Sequence, residues 1–162
     1  MRHAWALVAV FACGAAAAAP HEHGVGELDV AVDGNALVIE LRVPAEDLVG
    51  FERAPRTDAE RARIEQVRKA LADAKLFTPN AEAGCRAAGS PDVAVPSFGN
   101  KDAHADFAAT HRFECANAGA LTAVEIGAFS AFPKVRRLKA QVAGPRGQKQ
   151  ATLTRQRARL PL

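Results

Sequence analysis

Two alternating runs on either side of a tight-turn signal constrain this chain most. Gly26 to Val32, Gly-Glu-Leu-Asp-Val-Ala-Val, alternates polar and apolar residues as a half-buried strand does. Ala36 to Val43, Ala-Leu-Val-Ile-Glu-Leu-Arg-Val, reads as its partner. Asp33-Gly34-Asn35 between them is a turn sequence, so the pair forms a hairpin that Pro44 ends. A half-buried hairpin needs further strands or a helix to cover its apolar face.

The rest of the chain supplies both. A short turn over Ala45 to Val49 leads toward a helix. Thr57-Asp58-Ala59-Glu60 is a helix start with Thr57 as cap. Ile64, Val67, Leu71 and Ala74 are spaced to share one helix face, and Arg61, Arg63, Glu65, Arg68 and Lys69 coat the remainder as a solvated surface. Cys85 falls in a strand, and Pro91 to Lys101 reads as a loop. His104 to Glu114 alternates, with Ala105, Phe107 and Ala109 on one side and His104, Asp106, Ala108 and Thr110 on the other. Leu121 to Ala128 and Leu138 to Val142 are further strands. Gly144-Pro145-Arg146-Gly147 is a turn, and Gln150 to Leu153 returns from it. The basic tail Arg155, Arg157, Arg159 alternates as an edge strand with an exposed charged face would. The expected fold is α+β: an antiparallel sheet of about six strands, one main helix packed on it, and one disulfide.

Residues 1–18 read as a secretory signal peptide. Met1-Arg2-His3 is short and basic, Ala4 to Ala12 is apolar, and Ala15 to Ala19 is a small-residue tract, with cleavage expected after Ala18. The apolar run is shorter than the about 20 residues a membrane span needs. A lipoprotein acylated at Cys13 is the rival reading, but Phe11 and Ala12 make a poor lipobox. Residues 19–162 then form one domain, with no other segment apolar enough to cross a membrane. A net charge of +3, no tyrosine and a lone tryptophan in the leader give no basis for nucleic-acid binding.

Two cysteines remain once Cys13 leaves with the leader. In an oxidising compartment an even pair reads as a Cys85–Cys115 disulfide, a thiolate metal site being the rival. The chain-entropy model gives about 3–4 kcal/mol for a loop of about 30 residues.

The chemistry rests on histidine. His21 and His23 are two apart, so an extended segment turns both rings to one side. His104 and Asp106 stand in the same relation. Imidazole nitrogens and a carboxylate oxygen make a sulfur-free zinc set, and two such pairs would supply four ligands. The bland readings are a solvated His-x-His tail and an ordinary surface strand pair. His111 has the opposite parity to His104 and is the poorer candidate. There is no nucleophile–base–orienter set, no Gly-rich phosphate loop and no His-Glu-x-x-His, so no enzyme is expected.

A longer pattern joins these pieces. His21-Glu-His-Gly-Val-Gly-Glu-Leu-Asp-Val-Ala-Val-Asp-Gly-Asn35 resembles the mature start of the ZrgA-type family of zinc-regulated periplasmic proteins of Gram-negative bacteria. So do Leu48-Val-Gly-Phe-Glu-Arg-Ala-Pro-Arg-Thr-Asp58, His104-Ala-Asp-Phe107 with Cys115, Phe132-Pro133, Gly147-Gln148 and Arg159-Leu-Pro-Leu162. The resemblance implies a periplasmic zinc-binding accessory protein that contributes to zinc acquisition beside an inner-membrane zinc transport system. His21, His23, His104 and Asp106 match the family's histidine motifs. Ser97 to Ala103 departs from the pattern: many members carry alternating His and acidic residues there, and this chain has no histidine in it. High zinc capacity through a His-rich arm is therefore not expected. The alternative function is an envelope structural or protein-interaction module with incidental histidines. For the Leu48 to Asp58 block, Leu48, Val49 and Phe51 read as core. Glu52, Arg53, Arg56 and Asp58 read as an ion network at the helix entry, with a partner-docking face as the alternative.

Overall fold

The structure, a computed structural model, describes residues 22–98 and 105–162. At its centre is the hairpin: β1 (Val25–Asp33) and β2 (Ala36–Pro44) pair antiparallel from Glu27 opposite Arg42 to Asp33 opposite Ala36. Gly34 takes φ +54° as the first of two loop residues, a conformation the strand twist favours at such a turn and glycine adopts freely. Leu28 and Val30 of β1 and Leu37, Ile39, Leu41 and Val43 of β2 are buried, while Glu27, Asp29, Glu40 and Arg42 stay on the accessible side. Burial thus follows the two-residue period.

Next come the one-turn helix α1 (Ala45–Leu48) and the main helix α2 (Asp58–Leu71). Thr57 Oγ1 accepts the Glu60 N–H at 3.1 Å. The Glu60 carboxylate accepts the Arg56 N–H at 2.6 Å and both ends of the Arg53 guanidinium at 2.6 and 3.0 Å. Arg53 also lies over the Phe51 ring, 5.1 Å from its centroid. The helix entry is ionic, as expected, but with other pairs than a network among Glu52, Arg53, Arg56 and Asp58: Arg53 takes Glu60, and Asp58 pairs with Arg61 at 2.6 Å. Leu48 is buried, and Val49 and Phe51 pack half-buried against the core.

Helix α2 buries Ile64, Val67 and Leu71. Ala74 does not join that face. Asp73 Oδ1 accepts the Lys75 N–H at 2.8 Å and caps a separate 3-10 turn, which breaks the helical period and leaves Ala74 exposed.

The remaining elements are β3 (Phe77–Pro79), β4 (Cys85–Ala87), β5 (Asp92–Ala94), β6 (Asp106–Cys115), β7 (Ala123–Ile126), α3 (Ala128–Ala131), β8 (Arg137–Gly144), β9 (Gly147–Thr154) and β10 (Arg159–Pro161). The fold is α+β with one main helix, as expected. The main sheet runs β4-β6-β2-β1-β8-β9, with β5 also on β6, making seven strands. Its pairs are antiparallel except β1–β8, which is parallel. A second sheet, β10-β7-β3, has three strands.

Three local readings shift. Within the segment expected as a loop, Asp92 to Ala94 pairs with β6, and Asp92 binds Arg112 at 2.6 Å. The strand expected over Leu121 to Ala128 shortens to β7. Gly127 N–H there bonds the Leu76 carbonyl at 2.9 Å, and α3 follows. The basic tail turns at Arg155 and Gln156 before β10 joins β7; Arg155, Arg157 and Arg159 are exposed and Leu160 is buried.

One cluster of buried residues joins both sheets to α2, with Phe77, Phe107, Phe129, Leu71, Leu121 and Leu160 among its largest fully buried members. Cys85 and Cys115 stand opposite each other on β4 and β6 and are disulfide-bonded, 30 residues apart in sequence. Among the described residues no helix is long and apolar enough to cross a membrane.

Candidate metal centre

Strand register decides which residues can meet. β2 lies between β1 and β6, and Pro44 at its exit stands opposite Asp106 at the start of β6. On its other side, the antiparallel register with β1 brings Gly26 against Arg42 and Val43; a Cβ on Gly26 would lie 2.8 Å from the Arg42 carbonyl. The entry to β1, which His23 precedes, and the entry to β6, which Asp106 begins, therefore lie at one end of the sheet. A single strand separates them, so they are about 10 Å apart at the usual strand spacing.

The turn that carries His23 is held on two sides. Gly24 N–H donates to Asp47 Oδ2 at 2.7 Å, from α1. The Gly24 carbonyl accepts the Arg136 and Arg137 N–H groups at 2.8 and 3.0 Å, and the His23 carbonyl accepts the Arg136 side chain at 2.8 Å. Val25 N–H closes the turn on the Glu22 carbonyl at 3.0 Å. Gly24 has φ +78°, and a Cβ there would meet Arg136 Nε at 2.5 Å. Only glycine suits this turn. The His23 imidazole itself is exposed. His23 is therefore on an anchored backbone, not on the loose tail that a terminal His-x-His suggests.

Charge surrounds the turn. Glu22 forms ion pairs with Arg137 and, at 3.8 Å, with Lys139. Arg136 lies over Gly24. The opposite end of β6 offers no free thiol, because Cys115 is bonded to Cys85. Among the described residues, the donors at the β1 and β6 entries are nitrogen and oxygen.

A sequence model described as ZrgA family zinc uptake protein matches residues 20–162. The chain belongs to the ZrgA family. No curated protein matches it.

As a ZrgA family member the chain has zinc as the cation against which its donors are judged. An accessible imidazole at His23 and a half-buried carboxylate at Asp106 are nitrogen and oxygen donors of the kinds zinc accepts, and Cys85 and Cys115 are locked in their disulfide. His21 and His104, the other two expected ligands, lie outside the described residues. Among the described residues no three His, Cys, Asp or Glu side chains form a group able to hold a metal.

His111 sits apart from this end of the sheet. It is 2% exposed, on the core face of β6 with Phe107, Ala109 and Phe113, and Asp106 is on the other face. Its Nε2 donates to the Leu71 carbonyl at 2.8 Å, which sets the tautomer, and its ring meets Phe77 edge-on at 5.0 Å. Burial lowers its pKa below the ordinary imidazole value; the bond to Leu71 and the charge of Asp73 oppose that in part. His111 thus stands apart from the donor pair, as its opposite parity to His104 predicts, and this packing is the physical reason.

Sequence reasoning passed over Asp47. Nothing in Ala45-Glu46-Asp47-Leu48 marks one acidic residue above the other. Packing buries Asp47 to 7% exposure and leaves Glu46 more open.

Proposed function

We propose that this ZrgA family member is a periplasmic zinc-binding accessory protein, not an enzyme, that takes part in zinc acquisition beside an inner-membrane zinc transport system. Its zinc ligands are His21, His23, His104 and Asp106. The observation that carries the site is the strand register, which brings the entries of β1 and β6 to one end of the sheet with β2 between them. His21 and His104 are each two residues from a described partner, His23 and Asp106, a reach of about 7 Å of extended chain. Four donors can therefore converge across one intervening strand.

The absence of histidine from Ser97 to Ala103 suits a carrier of low stoichiometry. The test is zinc calorimetry on purified protein and on a His21→Ala/His23→Ala/His104→Ala variant. The variant should lose more affinity than the about 10–100-fold that outer-shell changes cost. Wild-type binding should weaken on acidification through the range near about 6.5 where imidazoles protonate, because metal ligands must be proton-free. Equal zinc binding by wild type and the triple variant would overturn the ligand set. No zinc binding by either would favour an envelope interaction module with incidental histidines.

A further inference from the structure

The one-turn helix α1 touches both strand entries. Its first residue, Ala45, donates its N–H to the Ala105 carbonyl at 2.7 Å, next to Asp106. Its third, Asp47, accepts the Gly24 N–H at 2.7 Å, next to His23. Asp47 is 7% exposed, and among the described residues it and His111 are the buried polar or charged side chains. Its surroundings in sequence and across the sheet are apolar: Val43, Ala45, Leu48, Val25 and Ala105 are all buried. A carboxylate is costly to bury, and the charge-assisted bond to Gly24 is what its position secures.

We propose that α1 is the bracket that sets the distance between the two ligand-bearing segments, and that Asp47 is a positioning residue for zinc. Asp47 acts through the Gly24 peptide. With Arg136 and Arg137 holding the other side of that turn, its bond fixes the backbone from which the His23 imidazole projects. Ala45 fixes the partner segment from the same short helix. The backbone at Gly24 and at Ala105 is then held before metal arrives, and binding does not have to order it. Outer-shell groups that orient metal ligands work in this way. The role assigned to Asp47 runs through Gly24, whose N–H its Oδ2 accepts.

This rests on the zinc site proposed above, so the experiment separates the two. Zinc affinity is measured by calorimetry for wild type, Asp47→Asn, Asp47→Ala and His23→Ala. Exchange of the Gly24 amide is followed in the metal-free protein. Asparagine keeps an oxygen acceptor for Gly24 and loses the charge. Asp47→Asn should bind zinc within about threefold of wild type and keep the Gly24 amide protected. Asp47→Ala should bind about 10-fold more weakly and expose that amide. Wild-type affinity in Asp47→Ala, alongside weakened His23→Ala, overturns the bracket and leaves the site. Loss in Asp47→Asn as large as in His23→Ala overturns positioning and makes Asp47 a ligand. Unchanged affinity in His23→Ala overturns the site itself and the bracket with it. If Asp47→Ala does not fold, Gly24→Ala reads the same turn: binding about 10-fold weaker than wild type supports the bracket, and wild-type affinity overturns it.

Discussion

The two ends of β6 are closed by different means. At Cys115 the strand is bonded covalently to Cys85, and Cys115 N–H also bonds the Asn35 carbonyl at 2.9 Å in the β1–β2 turn. At Asp106 the closure is wholly non-covalent: Ala105 is bonded to α1, and α1 to Gly24. The covalent end restricts the unfolded chain and asks nothing of local polarity. The other end places polar groups where strands begin, beside charged Glu22, Arg136 and Arg137. On the zinc site proposed above, the covalent restraint sits at one end and ligand chemistry at the other, so changes at the two ends should separate in their effects.

The sharpest break of this comparison is the disulfide. Cys85→Ala/Cys115→Ala should lower unfolding stability by about 3–4 kcal/mol and leave zinc affinity within about threefold. Urea unfolding and calorimetry on the same preparations measure both. A zinc affinity that collapses with the disulfide would show that the ends are not independent.

At the other end, Gly24→Ala forces a side chain into a φ of +78° against Arg136 Nε at 2.5 Å. A left-handed conformation costs an L-residue about 1–2 kcal/mol. Stability should fall by that amount, and zinc affinity should fall as well, unlike the disulfide variant. A Gly24→Ala protein with unchanged zinc affinity would show that the turn's geometry does not govern the ligand.

His111 lies between the two ends and should follow neither. Its folded pKa is lowered, so the unfolded chain takes up the proton more readily. The stability that neutral His111 contributes is therefore fully present above the unfolded value near about 6.5 and is lost as pH falls below it. Metal-free wild type should lose urea resistance over that range. His111→Gln, which keeps a donor for the Leu71 carbonyl, should show a flatter profile. Parallel profiles would remove His111 as the cause.

The smallest effect belongs to Glu60, which is half-buried at the surface. The Arg53 guanidinium, then the Arg56 N–H, hold its carboxyl at about 2. A lowered carboxylate stabilises above its unfolded value and loses that contribution as pH falls toward about 2. The melting temperature of wild type should exceed that of Glu60→Gln at neutral pH, and the gap should close between about 4.5 and about 2. A gap that persists at the acid limit would assign the stabilisation to shape and not to charge.

Much of the fold was legible because it is local. The hairpin, the Thr57 helix start and the β8–β9 return follow from side-chain period, capping and turn chemistry within a few residues. The disulfide followed from the two cysteines that lie outside the expected leader. His111 was set apart from Asp106 by parity along one strand, and packing against Leu71 and Phe77 confirms that it faces the core. Ala74 was misplaced because the 3.6-residue period cannot foresee that Asp73 caps a new turn.

Sequence by itself determined the alternation of β1, β2 and β6, where the hairpin turns, where α2 begins and the pairing of Cys85 with Cys115. It also raised His-x-His and His-x-Asp as donor pairs. Only the tertiary structure decided that β8 joins β1 in parallel, that β3, β7 and β10 form their own sheet, and that the entries of β1 and β6 share one end. A two-residue period says which way a side chain points but not which strand stands beside it. Asp47 shows the same limit for a single residue. Its carboxylate meets Gly24 across 23 residues of sequence, and only the packing of α1 between two strand entries turns an ordinary acidic residue into a buried anchor.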